Sequence, residues 1–318
     1  MGLSFEQISR SEWADFHHSS PQKSIFSSVE YLEALGSNIV FFLVRSGQEK
    51  IAGFPVLSSG QSIEVPSFSV DAGIHYAPFN GLKDHSKSEI RCKINEVLAV
   101  ELCGGYENVA FNNHPSVIDL RAFDWFNYSS KNQNGGYEVI VRYTSYLSLS
   151  SNLLEDNYNQ ARRYELKKSL SSGVVFEPSI SIEELDRLHE LTFKRQGIQR
   201  SQNEINALNQ ITLKMLSAGT GKMYFCRISG QIVSACFWLL GEGIAHYLFG
   251  ANDPDFRKTG SGTLCLNNSI KDIYEREGIK KFDFVGINSP SRGNYKLSYG
   301  GSIIPYFKVR KIKQPGIK

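Results

Sequence analysis

The stretch that decides the fold runs Met223-Tyr-Phe-Cys-Arg-Ile228, Ser229-Gly-Gln231, Ile232-Val-Ser-Ala-Cys-Phe-Trp-Leu-Leu240, Gly241-Glu-Gly243 and Ile244-Ala-His-Tyr-Leu-Phe-Gly250. Two runs of strand-forming residues around Ser-Gly-Gln read as a hairpin. The second glycine turn adds a third strand and completes a meander. From Thr263 to Glu277 the period changes: Leu264, Leu266, Ile270, Ile273 and Tyr274 recur at helical spacing, and Gly278 supplies the stop. Lys280 to Gly286 then reads as a strand. In this β-β-β-α-β order a glycine turn, Arg257-Lys-Thr-Gly-Ser-Gly-Thr263, stands where the third strand meets the helix.

That turn is a sensible cradle for a pyrophosphate. The first N–H groups of a helix lack partners and its dipole favours anions, while glycine lets the backbone come close. Upstream, Asn152 to Ser172 reads as an amphipathic helix ended by Gly173. Ser181 and Glu184 read as a capping box opening a helix that Gly197 closes, and further helical turns fall between Asn203 and Ala218. The first half repeats the order more faintly. Strands are expected near Val40–Arg45, Ile51–Leu57 and Ile63–Phe68, a helix near Ser86–Leu102 and a strand over Asn108–Asn112. Its segment from Asp71 to Gly81 lacks the glycine motif, so a duplicated fold is expected in which one half keeps the pyrophosphate turn and the other has drifted.

The arrangement resembles the GNAT acyltransferases, whose [QR]-x-x-G-x-[GA] turn holds the coenzyme A pyrophosphate. Leu248-Phe-Gly-Ala-Asn-Asp-Pro254, Gly278-Ile-Lys-Lys-Phe-Asp-Phe-Val-Gly286 and Asn294-Tyr-Lys-Leu-Ser-Tyr-Gly300 are similar to the FemAB-like and BioF2-like branch, built from tandem GNAT domains. The likeness covers Ser150 to Val309 well and the first half by element order. It implies an α/β chain of two tandem GNAT-like domains, each a mixed, mainly antiparallel sheet flanked by helices: residues 1–149, degenerate and on the acceptor side, and residues 150–318, binding acyl-CoA. The peptidoglycan aminoacyl transferases of that branch draw on aminoacyl-tRNA and usually lack an intact pyrophosphate turn. This chain keeps the turn and shows no long charged helical insertion, so acyl-CoA is the expected donor.

The resemblance further implies that Leu248, Phe249 and Gly250 meet pantetheine through their backbone, that Arg257, Lys258, Gly260, Ser261, Gly262 and Thr263 hold the pyrophosphate, and that Asn288 adds a contact. Acyl transfer to an amine needs a neutral nucleophile, a proton acceptor and donors for the oxyanion. Asp283 alternates with Phe282 and Phe284 and so faces the opposite side of its strand. It is a candidate for catalysis or for supporting a neighbouring group. His75, beside Tyr76 and Pro78, is the preferred base candidate, with His114 and His246 weaker, and Tyr295 or Tyr299 could serve as acid toward the thiolate. Lys296 occupies the position that the resemblance connects with substrate charge. Arg162 and Arg163, with Lys167 and Lys168, form a basic helix face suited to a diphosphate or simply to solvent.

Composition fits a globular chain: 318 residues, 41% hydrophobic and 21% charged. A formal charge of +3 is too small for a protein that coats nucleic acid, so no nucleic-acid partner is expected. Ile232 to Leu240 is about half of a bilayer span, and the N-terminus carries neither a secretory core nor a myristoylation site, since Glu6 stands where Ser or Thr is required. A cytoplasmic enzyme is expected. Cys92, Cys103, Cys226, Cys236 and Cys265 lie in apolar patterns without a CxxC pair and read as buried free thiols, and no metal motif occurs. The expected reaction is N-acylation, with acetyl or 3-hydroxybutanoyl groups, of a nucleotide-linked amino sugar such as a dTDP-3-amino-3,6-dideoxyhexose for surface polysaccharide. The alternatives are an aminoacyl-tRNA-dependent peptidoglycan transferase and a non-catalytic CoA- or nucleotide-binding protein.

Overall fold

The computed structural model describes residues 2–36, 38–129, 135–149 and 154–312. The chain divides into two compact units, residues 1–142 with 305–318 and residues 143–304.

In the first unit, β1 (Leu3–Ile8), α1 (Arg10–Ser19) and α2 (Val29–Leu35) precede β2 (Ile39–Ser46), β3 (Glu49–Ser59), β4 (Ser62–Glu64) and β5 (His75–Tyr76). Then come α3 (Asp84–Gly105), β6 (Asn108–Asn112) and α4 (Arg121–Asp124). Strands β1, β2, β3 and β4 pair antiparallel in sequence order, and β4 pairs parallel with β6. The expected strand Ile63–Phe68 is cut short at Glu64 by Pro66, which cannot donate to a ladder, and by Phe68 at φ +63. A core of Phe54, Phe111, Phe123 and Tyr137 packs edge to face between sheet and helices.

Two strands cross the division between the units: β7 (Gly136–Ser148) and, at the far end, β13 (Ser302–Ile312). Lys308 to Arg310 of β13 pair with Asn112 to Ala110 of β6, so this part of β13 joins the first unit.

The second unit holds α5 (Gln160–Ser171), β8 (Val175–Pro178), α6 (Ile182–Arg195), α7 (Gln202–Ser217), β9 (Gly221–Ile228), β10 (Gln231–Gly241) and β11 (Ile244–Asn252). A 3-10 turn, Pro254–Thr259, leads to α8 (Ser261–Glu277), β12 (Lys281–Asp283) and α9 (Pro290–Leu297). The meander β9–β10–β11 is antiparallel, β8 flanks β9, β11 pairs parallel with β12, and β12 pairs antiparallel with β7. The helix expected from Asn152 begins among residues outside those described, and α5 starts at Gln160, where Asn159 caps it through the Arg162 N–H. Ser181 caps α6, but Glu184 turns to Arg187, so the reciprocal box falls instead at Ser201 and Glu204, heading α7. One face of the sheet packs Trp238, Phe282 and Phe284 against Ile270 and Ile273 of α8. Cys226, Cys236 and Cys265 are buried free thiols, whereas Cys92 and Cys103 are free but half-buried.

Candidate active site

The β11–β12 ladder lasts for three residue pairs, Ile244 with Lys281, Ala245 with Phe282 and His246 with Asp283. Beyond it the strands part. The chain after β12 stays on β7, with Phe284 N–H donating to Ser145 O at 2.9 Å and Ile287 N–H to Tyr143 O at 3.0 Å, while β11 runs on along β10 to Asn252. Leu248 is the extra residue of a bulge between the Tyr247–Trp238 and Phe249–Phe237 pairs. The edge of Leu248–Gly250 away from β10 therefore has no strand partner among the described residues. A thioester arm with amide groups can add there as a strand does.

The opening is held by an unusual turn. Val285 and Gly286 have φ of +47° and +54°, and a β-branched residue there costs about 1–3 kcal/mol. This is why the strand expected to reach Gly286 ends at Asp283. The Asp283 carboxylate accepts from the Val285 N–H at 2.9 Å, and the Lys296 ammonium donates to Val285 O and, at 3.4 Å, to Gly286 O. Burial pushes Lys296 down to about 8, with Asp283 opposing that shift.

Asp283 is buried on the α6–α7 face of the sheet, opposite Phe282 and Phe284. It also accepts from Thr144 Oγ1 and from His246 Nδ1 at 3.0 Å. An Nδ1–H held by a carboxylate leaves the lone pair of the imidazole on Nε2, the tautomer a general base needs. On the opposite face, the Tyr295 and Tyr299 hydroxyls lie 2.7 Å apart, and Tyr299 donates to Thr263 Oγ1 at 3.3 Å. Thr263 also bonds Glu165 and accepts from Arg162 at 3.0 Å, and the Arg162 guanidinium lies 4.9 Å from the centre of the Tyr295 ring. Burial pushes Tyr295 up to about 12. The Tyr247 phenol folds over Gly250 so closely that a Cβ there would overlap it.

Arg257 and Lys258 are exposed on the 3-10 turn, and Gly260 begins α8 at φ +79°. A Cβ on Gly260 would strike Glu165 O, and one on Gly262 would strike the Asn252 amide. These glycines are therefore needed for packing. Ser261 faces inward, its hydroxyl 2.7 Å from that of Ser234.

The other candidates are placed differently. Asn288 bonds both the N–H (2.8 Å) and C=O (3.0 Å) of Tyr143, continuing the β7 edge as a strand would. Arg162 turns inward while Arg163 and Lys167 stay exposed, so the expected basic face is split. His75 does not suit a base. It lies in the first unit with Nδ1 2.9 Å from Gly73 O and Nε2 3.0 Å from Ser27 Oγ, and burial with the neighbouring His17 pushes it down to about 3. His246, weaker on sequence, is the histidine that meets Asp283. The signal for it was the register of two strands far apart in sequence.

In the first unit the parallel pair β4–β6 also parts, after Ile63 and Val109. There the chain fills its own opening, with Ala72 N–H on Asn112 O at 3.1 Å and Ile74 N–H on Asn113 Oδ1 at 3.0 Å.

Residues 157–297, somewhat less than half of the chain, match the family described as the acetyltransferase (GNAT) domain. Among solved structures, FemX is similar at 12% identity over 96% of each chain, with a TM-score of 0.63. A tandem GNAT protein from the clavulanic acid biosynthesis pathway is similar at 10% identity over the full length of both, TM-score 0.60. L-PGS from Bacillus licheniformis is similar at 13% identity over 98% of this chain and 94% of that one, TM-score 0.56. No curated protein matches the chain.

The fold is that of tandem GNAT proteins, and the second unit carries the acetyltransferase domain. By class the chain is an acyl-CoA-dependent N-acyltransferase. Among the described residues, no helix is long and apolar enough to cross a membrane.

Proposed function

We propose that this enzyme moves an acetyl or 3-hydroxybutanoyl group from coenzyme A to the amine of a nucleotide-linked amino sugar, such as a dTDP-3-amino-3,6-dideoxyhexose, for surface polysaccharide. The observation that carries the reading is the opening between β11 and β12, with the bulged Leu248–Gly250 edge on one side and the His246–Asp283 pair at its apex. In this reading the pantetheine arm lies along that edge, and the pyrophosphate meets the first N–H groups of α8 with Arg257 and Lys258 beside it. The exposed Arg163 and the Lys296 ammonium serve the phosphates and charge of the acceptor.

The amine attacks the thioester carbonyl directly. As the C–N bond forms, the amine proton passes to His246, whose imidazolium Asp283 stabilises, and backbone N–H groups of the open edge steady the oxyanion. Collapse breaks the C–S bond. Tyr295, kept protonated by burial, hydrogen-bonds the leaving thiolate, and the proton held on His246 completes the thiol. Juxtaposition in the cleft supplies much of the rate.

The test is calorimetric titration with acetyl-CoA and 3-hydroxybutanoyl-CoA, followed by thiol release with amino-sugar acceptors. Arg257→Glu with Lys258→Glu is the suitable control, because both side chains are exposed, whereas Gly260 or Gly262 substitutions would collide with α5 or Asn252. Micromolar binding that the double variant weakens at least tenfold supports the reading. If the intact protein binds neither thioester, the donor assignment is wrong and aminoacyl-tRNA is the donor to test.

A further inference from the structure

His189 lies on α6, is 7% exposed, and packs between Phe193 and Phe249, with ring centroids 4.7 and 5.8 Å away. Phe249 is the residue next to the Leu248 bulge, on the open edge of β11. Phe249 shares its sheet face with His246, because Phe237 and Leu239, their partners on β10, are two residues apart. His189 therefore lies over the face of the sheet that carries the His246–Asp283 pair.

Its Nδ1 is buried and has no hydrogen-bond partner among the described residues. An unpaired buried polar atom is destabilising, and a leucine would fill the same space between two phenyl rings without that cost. Packing explains the ring and leaves the nitrogen unexplained. Burial, reinforced by the nearby Arg200, pushes His189 down to about 4, so the ring is neutral near pH 7 and its nitrogens are one donor and one acceptor. A neutral acceptor suits an uncharged amine, the form in which the nucleophile must attack.

We infer that His189 is an acceptor-positioning residue: its Nδ1 accepts a hydrogen bond from the attacking amine and aims the nitrogen lone pair at the thioester beside Leu248–Gly250. The inference rests on the transfer reaction proposed above. His246 takes the proton during attack; His189 holds and orients the amine beforehand and binds no acyl donor.

The experiment compares wild type with His189→Leu, His189→Gln and His189→Asn, using acetyl-CoA and dTDP-3-amino-3,6-dideoxyglucose as probes. The asparagine amide sits at the depth of Nδ1, the glutamine amide at that of Nε2. Expected are an acceptor KM raised about tenfold or more in the Leu and Gln variants and restored toward wild type in Asn. The acetyl-CoA Kd should stay within twofold throughout, and the Tm of the Leu variant should equal or exceed that of wild type. Wild-type turnover with an unchanged acceptor KM in the Leu variant, or an Asn variant as poor as Leu, overturns the role of His189 and leaves the proposed function intact. Wild type that binds acetyl-CoA yet acylates no amino sugar overturns the proposed function, and the inference with it.

Discussion

Asp283→Asn exchanges one oxygen for an NH2 at the apex of the cleft, and the existing bonds dictate which one. Oδ1 holds the Val285 N–H and Thr144 Oγ1, both donors, so the amide oxygen must stay there. The NH2 is then turned to His246 Nδ1, where Oδ2 stood at 3.0 Å. Nδ1 must become the acceptor and the ring proton moves to Nε2, so the imidazole can no longer take a proton there. General-base catalysis of this kind is worth about 10²–10⁴ in rate, or about 3–5 kcal/mol of barrier. The turn at Val285 keeps its bond, so the thioester site should persist. Expected is a kcat for acetyl transfer, followed by thiol release, lower by about 10²–10⁴, with an acetyl-CoA Kd unchanged within a factor of about 3. A folded variant whose kcat lies within threefold of wild type would refute the assignment of His246 and Asp283 as the base.

Further expectations follow from the same geometry. Lys296, pushed down to about 8, should lose its charge as pH rises through that value, so kcat/KM should fall above about pH 8, and Lys296→Arg should carry activity to higher pH; a flat alkaline limb in wild type would contradict the role given to the ammonium. His75 and His189, at about 3 and about 4 when folded, are both depressed below the unfolded value of about 6.5, so the unfolded chain binds more protons between these values. Stability is then full above pH 6.5 and lost as pH falls toward 4, by up to about 1.4 kcal/mol per pH unit for each histidine; urea midpoints at pH 7 and 5 measure it, and His75→Gln should flatten the slope. Gly260→Ala combines a left-handed backbone with a collision at Glu165 O and should cost about 2 kcal/mol or more, seen as a lower Tm, whereas Arg257→Glu should leave Tm unchanged while weakening acyl-CoA.

The second unit was legible because its signals are local. Ser229-Gly-Gln231 and Gly241-Glu-Gly243 mark the turns of the meander, and Leu264, Leu266, Ile270 and Ile273 keep one helical face in the core. Asp283 is marked in the sequence by its alternation with two phenylalanines. Its pairing with His246 is not, because the two meet through a three-pair parallel ladder between strands separated by a whole helix. Arg162 illustrates a different obstacle. Helical spacing put it among the lysines of α5, yet Glu165 one turn on and Thr263 a hundred residues away draw it inward. His189 gives no local signal either: nothing in Leu188-His-Glu190 announces that its neighbours in space are Phe193 and Phe249.

The two units share a device and differ in what occupies it. In each, two strands with a helix between them in the chain pair in parallel briefly and then part, β4–β6 in the first and β11–β12 in the second. Parting two strands exposes backbone groups that must find partners, and the chain meets that demand in two ways. In the first unit the segment Asp71–Ile74 returns into the gap and satisfies Asn112 O internally, and Gly73 is what lets it lie against Asn112 and Asn113. In the second, Val285 and Gly286 turn away through left-handed backbone, clamped by Asp283 and Lys296, and the Leu248–Gly250 edge stays open. The strain at Val285 would be pointless in a purely structural sheet, since continuing the ladder by two residues would relieve it. An open edge maintained against that cost is what a thioester arm requires, and its position beside His246 makes the second unit the one in which acyl transfer is to be sought.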